Sequence, residues 1–312
     1  MRHSVTRAIL VPLDGSDLSE RAIEAARRLA GAMSASIVLT RVVHASPPEE
    51  HTRQAAAVEA AEKYLNDIAA GLRAQGEAAI CEACAGDPAE RIVEQAGLWR
   101  AEIIVMATHG RGGVGRLIHG SVADSVVRRS SVPILLVPAR AEHHARLDGD
   151  SVVVAVDGSP FAEHALAHAA EMAREMVASL VITRAVFWDP APLHGLAPSL
   201  TTIDEMRDDA QQYVDNLAAE VQRAGVDARG VVVVGPTTHV ILDEAESANA
   251  AVIVLATHGR GGLGRFAMGS IATEIVTHAR RPVLLIHPLH AGEGATVVEQ
   301  SSQHARAPSP AT

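Results

Sequence analysis

Residues 107–121 read ATHGRGGVGRLIHGS, and residues 256–270 read ATHGRGGLGRFAMGS. One glycine-rich, arginine-containing stretch therefore occurs twice, at a separation typical of a whole domain rather than of a solenoid repeat. Two further pairs of segments recur in the same order: ILVPLDGS at 9–16 with VVVAVDGS at 152–159, and SVPILLVP at 131–138 with RRPVLLIHP at 280–288. The repetition predicts a duplicated domain.

The chain has 312 residues, a length that suits about two domains. Apolar residues make up 48% of it and aromatic residues only 2%, so the core must consist of Ala, Val, Ile and Leu, as in a buried parallel sheet. The expected organisation is a first domain at 1–140, a linker at 141–150, a second domain at 151–290 and a disordered tail at 291–312.

Charge and hydropathy restrict the classes of binding partner that we expect. The formal charge is -10 with no basic run, which argues against a nucleic-acid or anionic-membrane surface as the main partner. The apolar run near the N-terminus is too short for a signal peptide, and no segment approaches the roughly 20 apolar residues of a membrane helix. We therefore expect a soluble cytoplasmic protein with neither nucleic acid nor a membrane as partner.

Within each copy, short apolar runs alternate with amphipathic stretches, which predicts an α/β fold: a parallel sheet with helices on both faces. In the first copy we predict strands at 8–13, 35–43, 77–85, 102–107 and 133–138, and helices at 17–31, 53–75, 88–98 and 121–130. Asp87 with Pro88, and Ser159 with Pro160, have the pattern of a helix cap followed by proline in the first turn.

The repeated stretch begins where the fourth strand ends, and parallel sheets bind ligands at that edge. Glycines such as Gly110 and Gly113 bring backbone amides close to a ligand, Arg111 adds positive charge, and Gly120 and Ser121 open a helix whose free amides favour phosphate. The second copy repeats them as Gly259, Arg260, Gly262, Gly269 and Ser270. A polyphosphate ligand fits this pattern; the alternative is a plain surface turn, and under either interpretation the two serines are expected to cap helices.

Two better-known glycine motifs do not apply. GRGGVG satisfies G-x-G-x-x-G, but a dinucleotide motif follows the first strand and has an acidic residue about 20 residues later. The chain also lacks G-x-x-x-x-G-K-[ST], which excludes a P-loop NTPase.

The spacing resembles the universal stress protein family, whose ATP-binding members carry G-x2-G-x9-G-[ST] between strand four and helix four. Here the motif begins with alanine in both copies, at Ala107 and Ala256, a departure that adds one methyl group at the loop entrance. The resemblance covers both repeats and implies two tandem Rossmann-like domains, each a five-stranded parallel sheet of order 3-2-1-4-5. It also implies ATP as ligand, and pairing of the two domains through their fifth strands. Association of two chains into a dimer stays open.

The resemblance also assigns residues to the two ligand sites. It implies adenine contacts at or near Pro12, Val42 and Met106 in the first domain, and at Ala155, Ala185 and Leu255 in the second. It implies phosphate contacts at Gly110, Gly120, Ser121 and Val122, and at Gly259, Gly269, Ser270 and Ile271. Asp14 and Asp157 would lie near the ribose and phosphates, where a carboxylate could bind a ribose hydroxyl or hold Mg²⁺ through the phosphates. An Asx turn leading into the first helix is the alternative for both.

Other candidate chemistry is weaker. Cys81 and Cys84 have C-x-x-C spacing but fall in a strand, so we expect a structural role. His109 and His258 lie in the repeated loop without an acid or nucleophile at a recognisable spacing, which favours loop shaping or ligand contact. Three functions compete: a nucleotide-dependent regulatory stress-response protein with at most slow ATP hydrolysis, an adenine-nucleotide-using enzyme, and an assembly module that binds no nucleotide.

Overall fold

The computed structural model describes residues 7–44, 51–108, 121–139, 147–187, 200–257 and 268–287. Its strands are β1 Ala8–Pro12, β2 Ser36–His44, β3 Ala79–Gly86, β4 Ala101–Thr108, β5 Ile134–Pro138, β6 Ser151–Ala155, β7 Ser179–Val186, β8 Ala228–Val234, β9 Ala250–Ala256 and β10 Val283–Ile286. Its helices are α1 Asp17–Met33, α2 His51–Ala74, α3 Pro88–Leu98, α4 Ser121–Arg129, α5 Pro160–Met176, α6 Leu200–Arg223, α7 Thr237–Ser247 and α8 Ser270–His278.

The strands form one ten-stranded sheet of order β3-β2-β1-β4-β5-β10-β9-β6-β7-β8. Each half is parallel and has the order 3-2-1-4-5 in its own numbering, which confirms the predicted α/β fold with two tandem domains. The halves join where β5 and β10 pair antiparallel, with Leu136 opposite Val283 and Leu135 opposite Leu284. The expected pairing through the fifth strands is therefore confirmed, and two apolar edge strands cover each other.

Helices cover both faces of the sheet. Helices α1, α2, α5 and α6 pack with one face of the strands in one hydrophobic cluster, and α3, α4, α7 and α8 pack with the other face in a second. Residues of the central strands, such as Ile9 and Ile104, are fully buried. This double burial explains why the strand sequences are nearly continuous runs of Val, Ile and Leu.

Two predicted helix starts are confirmed. The Asp87 side chain caps α3 by accepting a hydrogen bond from the Glu90 amide, and Pro88 follows in the first turn. Ser159 caps α5 by accepting from the Ala162 amide at 3.2 Å. The amide hydrogen of a first-turn residue has no acceptor within the helix. Proline, which lacks that hydrogen, therefore fits there.

Several expectations concern residues outside the described ranges: the glycine-rich loops at 109–120 and 258–267, most of the linker at 141–146, and the tail at 291–312. In the part of the chain that the structure covers, no helix is long and apolar enough to cross a membrane.

Candidate functional site

The candidate site of the first domain lies at the carboxyl edge of the sheet. Strand β1 pairs with β2 on one side and β4 on the other, so the ends of three strands meet there. This topology brings together the predicted residues Pro12, Asp14, Val42, Met106 and Ala107. Because α1 leaves β1 on one face while α4 covers the other, this is the crevice where an open α/β sheet binds ligands.

The second domain repeats the arrangement. Strand β6 pairs with β7 and β9, which places Ala155, Asp157, Ala185, Leu255 and Ala256 at the corresponding edge.

Asp14 forms the turn between β1 and α1. Its Oδ1 accepts hydrogen bonds from the Ser16 amide at 2.9 Å and from the Ser16 hydroxyl at 2.6 Å. Burial raises the pKa of Asp14, but the hydrogen bonds from Ser16 and Ser19 outweigh burial and hold that pKa below its ordinary value. Asp14 therefore forms an Asx turn. Its carboxylate is exposed and negatively charged at the edge of the site.

Asp157 forms the same turn in the second domain, since its Oδ1 accepts from the Ser159 amide at 2.9 Å. Both turns contain a glycine with positive φ, Gly15 at 89° and Gly158 at 82°. The Asp-Gly-Ser sequence therefore fixes the loop locally in both domains.

The N-terminus of α8 differs from the prediction. Gly269 is the N-cap residue, and its carbonyl accepts the first helical hydrogen bond from the Thr273 amide at 2.9 Å. Ser270 is the first helical residue rather than the N-cap, so the expectation that it caps the helix is wrong. Ser270 and Ile271 are exposed, so this first turn, which carries the free amides of the helix, lies at the surface, as an anion-binding helix end requires.

The N-terminus of α4 is the counterpart in the first domain. Helix α4 begins at Ser121, which is exposed, and Val122 is half-buried. The remaining predicted phosphate contacts lie outside the described residues: Gly110, Arg111, Gly113 and Gly120, and in the second domain Gly259, Arg260 and Gly262.

The predicted adenine contacts divide by burial. Met106 and Leu255 are only 7% and 4% exposed, so their side chains offer little surface to a ligand. Val42 and Ala185 are half-buried at the strand ends and leave more apolar surface open.

Sequence reasoning missed a cluster of three side chains beside Asp14. The Arg41 guanidinium stacks on the Tyr64 ring at 4.7 Å, and the Tyr64 hydroxyl donates to Glu20 Oε1 at 2.7 Å. Arg41 also lies against the β1–α1 turn, because a Cβ built on Gly15 would come within 2.8 Å of an Arg41 nitrogen. We call this group the Arg-Tyr-Glu cluster.

The second domain contains the same cluster. Arg184 stacks on Tyr213 at 4.9 Å, and the Tyr213 hydroxyl donates to Glu163 Oε1 at 3.3 Å. Burial, followed by the charge and hydrogen bond of Glu163, raises the pKa of Tyr213 to about 12. Burial and the hydrogen bond to Glu20 likewise raise the pKa of Tyr64, so both phenols stay protonated and remain donors at neutral pH. The recurrence of Glu, Arg and Tyr in the same order in both repeats was the available sequence signal.

The remaining candidates do not form a reactive centre among the described residues. Cys81 and Cys84 are half-buried thiols on β3, and burial raises the pKa of both, which disfavours the reactive thiolate. The described part of the chain holds no group of three or more His, Cys, Asp or Glu side chains that could bind a metal ion. His109 and His258 lie outside the described residues.

Comparison with known proteins gives one consistent result. The model of the universal stress protein family matches residues 6–138 and 150–287. A universal stress protein of Mycolicibacterium smegmatis is 28% identical over 302 residues, which cover 90% of this chain and 97% of that protein. One from Mycobacterium tuberculosis H37Rv is 30% identical over 186 residues, covering 59% of this chain and 61% of that protein. The crystal structure of a universal stress protein from Archaeoglobus fulgidus has a TM-score of 0.67 at 22% identity and covers 90% of this chain and 98% of its own.

Proposed function

The chain belongs to the universal stress protein family, and from that premise we propose that each of its two domains binds one ATP at the carboxyl edge of the sheet. The bound nucleotide sets the conformation of the protein or its choice of partner in the stress response, with hydrolysis that is slow at most. One observation carries this proposal: the same edge, with an Asp-Gly-Ser turn on one side and an exposed helix start on the other, occurs in both domains.

The proposed division of the ligand follows the chemistry of the edge. The half-buried Val42 and Ala185 offer apolar surface to the base, with Pro12 and Ala155 nearby on the adjacent strand. The helix starts at Ser121 and at Gly269–Ser270 offer amides to phosphates, as a helix dipole favours.

Mg²⁺ is compatible with this donor set. The ion is commonly held by one or two carboxylates together with substrate phosphates and water, and each edge offers one such carboxylate, Asp14 or Asp157. When bound, Mg²⁺ would neutralise phosphate charge next to that carboxylate.

The test is equilibrium dialysis of the purified chain with ATP and Mg²⁺, together with measurement of released phosphate. Binding without rapid phosphate release is the expected result. The absence of bound nucleotide would contradict the proposal and favour a pure assembly module, and rapid turnover would favour an enzyme.

Gly269→Leu tests the site assignment. A Cβ at this position meets the Thr257 carbonyl at 3.3 Å, so a branched side chain would fill the space at the start of α8. We expect loss of ATP from the second domain only, and full retention would refute the assignment. Gly71→Leu is the matched control, because it adds the same side chain on α2 where nothing lies within 4 Å.

A further inference from the structure

The two Arg-Tyr-Glu clusters lie at positions that the glycine-rich motif does not cover. Each is built from three elements of its domain: glutamate from the first helix, arginine from the second strand and tyrosine from the second helix. Three side chains that keep the same contacts in two domains of different sequence indicate a shared task.

The tyrosine fixes the position of the arginine. Its ring supports one side of the guanidinium, and its hydroxyl is held by a glutamate. A planar cation stacked on an aromatic ring loses less side-chain freedom when it binds a ligand than a free arginine does.

The arginine keeps its hydrogen-bonding capacity. Among the described residues, neither Arg41 nor Arg184 donates a hydrogen bond to another side chain or to the backbone, and both are half-buried. A guanidinium has five N–H donors in a fixed fork that matches phosphate oxygens. The donors therefore remain available at the edge of the sheet.

Arg41 lies where its positive charge reduces the repulsion between Asp14 and the phosphates of the proposed ligand. Asp14 is exposed and negatively charged at the edge where a polyphosphate would lie, and two anions repel unless a cation stands nearby. Arg41 lies against Gly15, the residue after Asp14.

We propose that Arg41 and Arg184 are phosphate-contacting residues of the two nucleotide sites, each held in place by its tyrosine and glutamate. The inference rests on the proposed function and adds specificity to it: the arginines favour nucleotides with a phosphate chain over the nucleoside. They act from the second strand of each domain, which lies across the first strand from the fourth.

The experiment compares ATP and adenosine binding to the full chain and to the double variant Arg41→Met, Arg184→Met. Methionine preserves much of the length and the apolar contact with the tyrosine but removes the charge and the donors. We expect the variant to bind ATP about tenfold more weakly, as the loss of one charged hydrogen-bonding contact implies, and to bind adenosine within about twofold of the wild-type affinity.

Two further double variants test whether a loss of ATP affinity comes from the lost arginine contact rather than from a folding defect. Arg41→Lys with Arg184→Lys should recover part of the ATP affinity, because charge is kept while the fork is lost. Tyr64→Leu with Tyr213→Leu should weaken ATP binding while both arginines remain, because the stacking is removed.

The outcomes are distinct. Unchanged ATP affinity in the methionine variant, or an equal loss for ATP and adenosine, would overturn the inference and leave the proposed function standing. Failure of the wild-type chain to bind ATP would overturn both.

Discussion

The Asp-Gly-Ser turns of the two domains have the same geometry in different surroundings. In the first domain Asp14 accepts from both the amide and the hydroxyl of Ser16, which is exposed. In the second domain Ser159 is only 5% exposed, and the Asp157 carboxylate accepts from its amide at 2.9 Å. The three-residue sequence therefore fixes the turn in both domains, and the rest of each domain determines how far the turn is buried.

The Arg-Tyr-Glu clusters of the two domains also differ. The hydroxyl-to-carboxylate distance is 2.7 Å for Tyr64 and Glu20, and 3.3 Å for Tyr213 and Glu163. The larger Pro12 and Val42 also stand where the second domain has Ala155 and Ala185. The first domain thus has the tighter cluster and the larger apolar surface at its edge.

The largest effect on the free energy of unfolding is expected at a contact between the two domains that differs between the repeats. Arg7, just before β1, donates to Glu102 of its own domain at 2.8 Å and to Glu175 on α5 of the other at 2.7 Å. Asp150, just before β6, instead accepts from Asn249 within the second domain. Arg7→Met leaves two partly buried carboxylates unpaired and should lower the free energy of unfolding by about 2 kcal/mol.

Urea unfolding measures this loss. Arg207→Met is the control, because Arg207 forms an exposed pair with the neighbouring Asp208 on α6 and its removal should change little. Equal effects of the two substitutions would mean that the interdomain pair adds nothing.

The next largest effect on the free energy of unfolding is expected from removing the tyrosine hydroxyls of the two clusters. Tyr64→Phe keeps the ring under Arg41 and removes the short hydrogen bond to Glu20, which should cost about 1 kcal/mol of unfolding free energy. Tyr213→Phe removes a longer and more exposed bond and should cost a few tenths of a kcal/mol. Identical losses in denaturant unfolding would contradict the difference in tightness.

The smallest effect concerns pH. Hydrogen bonds outweigh burial and lower the pKa of Asp14, so the folded state binds its proton less readily than the unfolded chain. This stabilisation is present above the ordinary aspartate pKa of about 3.9 and is lost as pH falls through the lower folded-state pKa. Asp14→Asn should therefore cost roughly 0.5 kcal/mol at pH 7, and the variant and wild type should converge in acid. A difference that persists at the lowest pH would show that the charge is not its source.

Much of the fold followed from local sequence signals. The strand runs, the Asp87 cap and the Ser159 cap each depend on neighbouring residues, so pattern and capping chemistry located them within a few residues. The pairing of β5 with β10 followed from the family resemblance, but its antiparallel direction was not predicted.

The errors and omissions have physical causes. Ser270 was expected to cap α8, but Gly269 already takes the cap position, so the helix includes the serine. The Arg41, Tyr64 and Glu20 cluster joins three elements that are distant in sequence, and no local period marks it. Only alignment of one repeat on the other shows that the same three residue types recur.

A complete nucleotide site in each domain can be tested by counting the ATP molecules bound per chain at saturation. We expect two for the wild-type chain, with the first domain binding more tightly, and one for Gly269→Leu. A wild-type value of one or none would contradict this expectation.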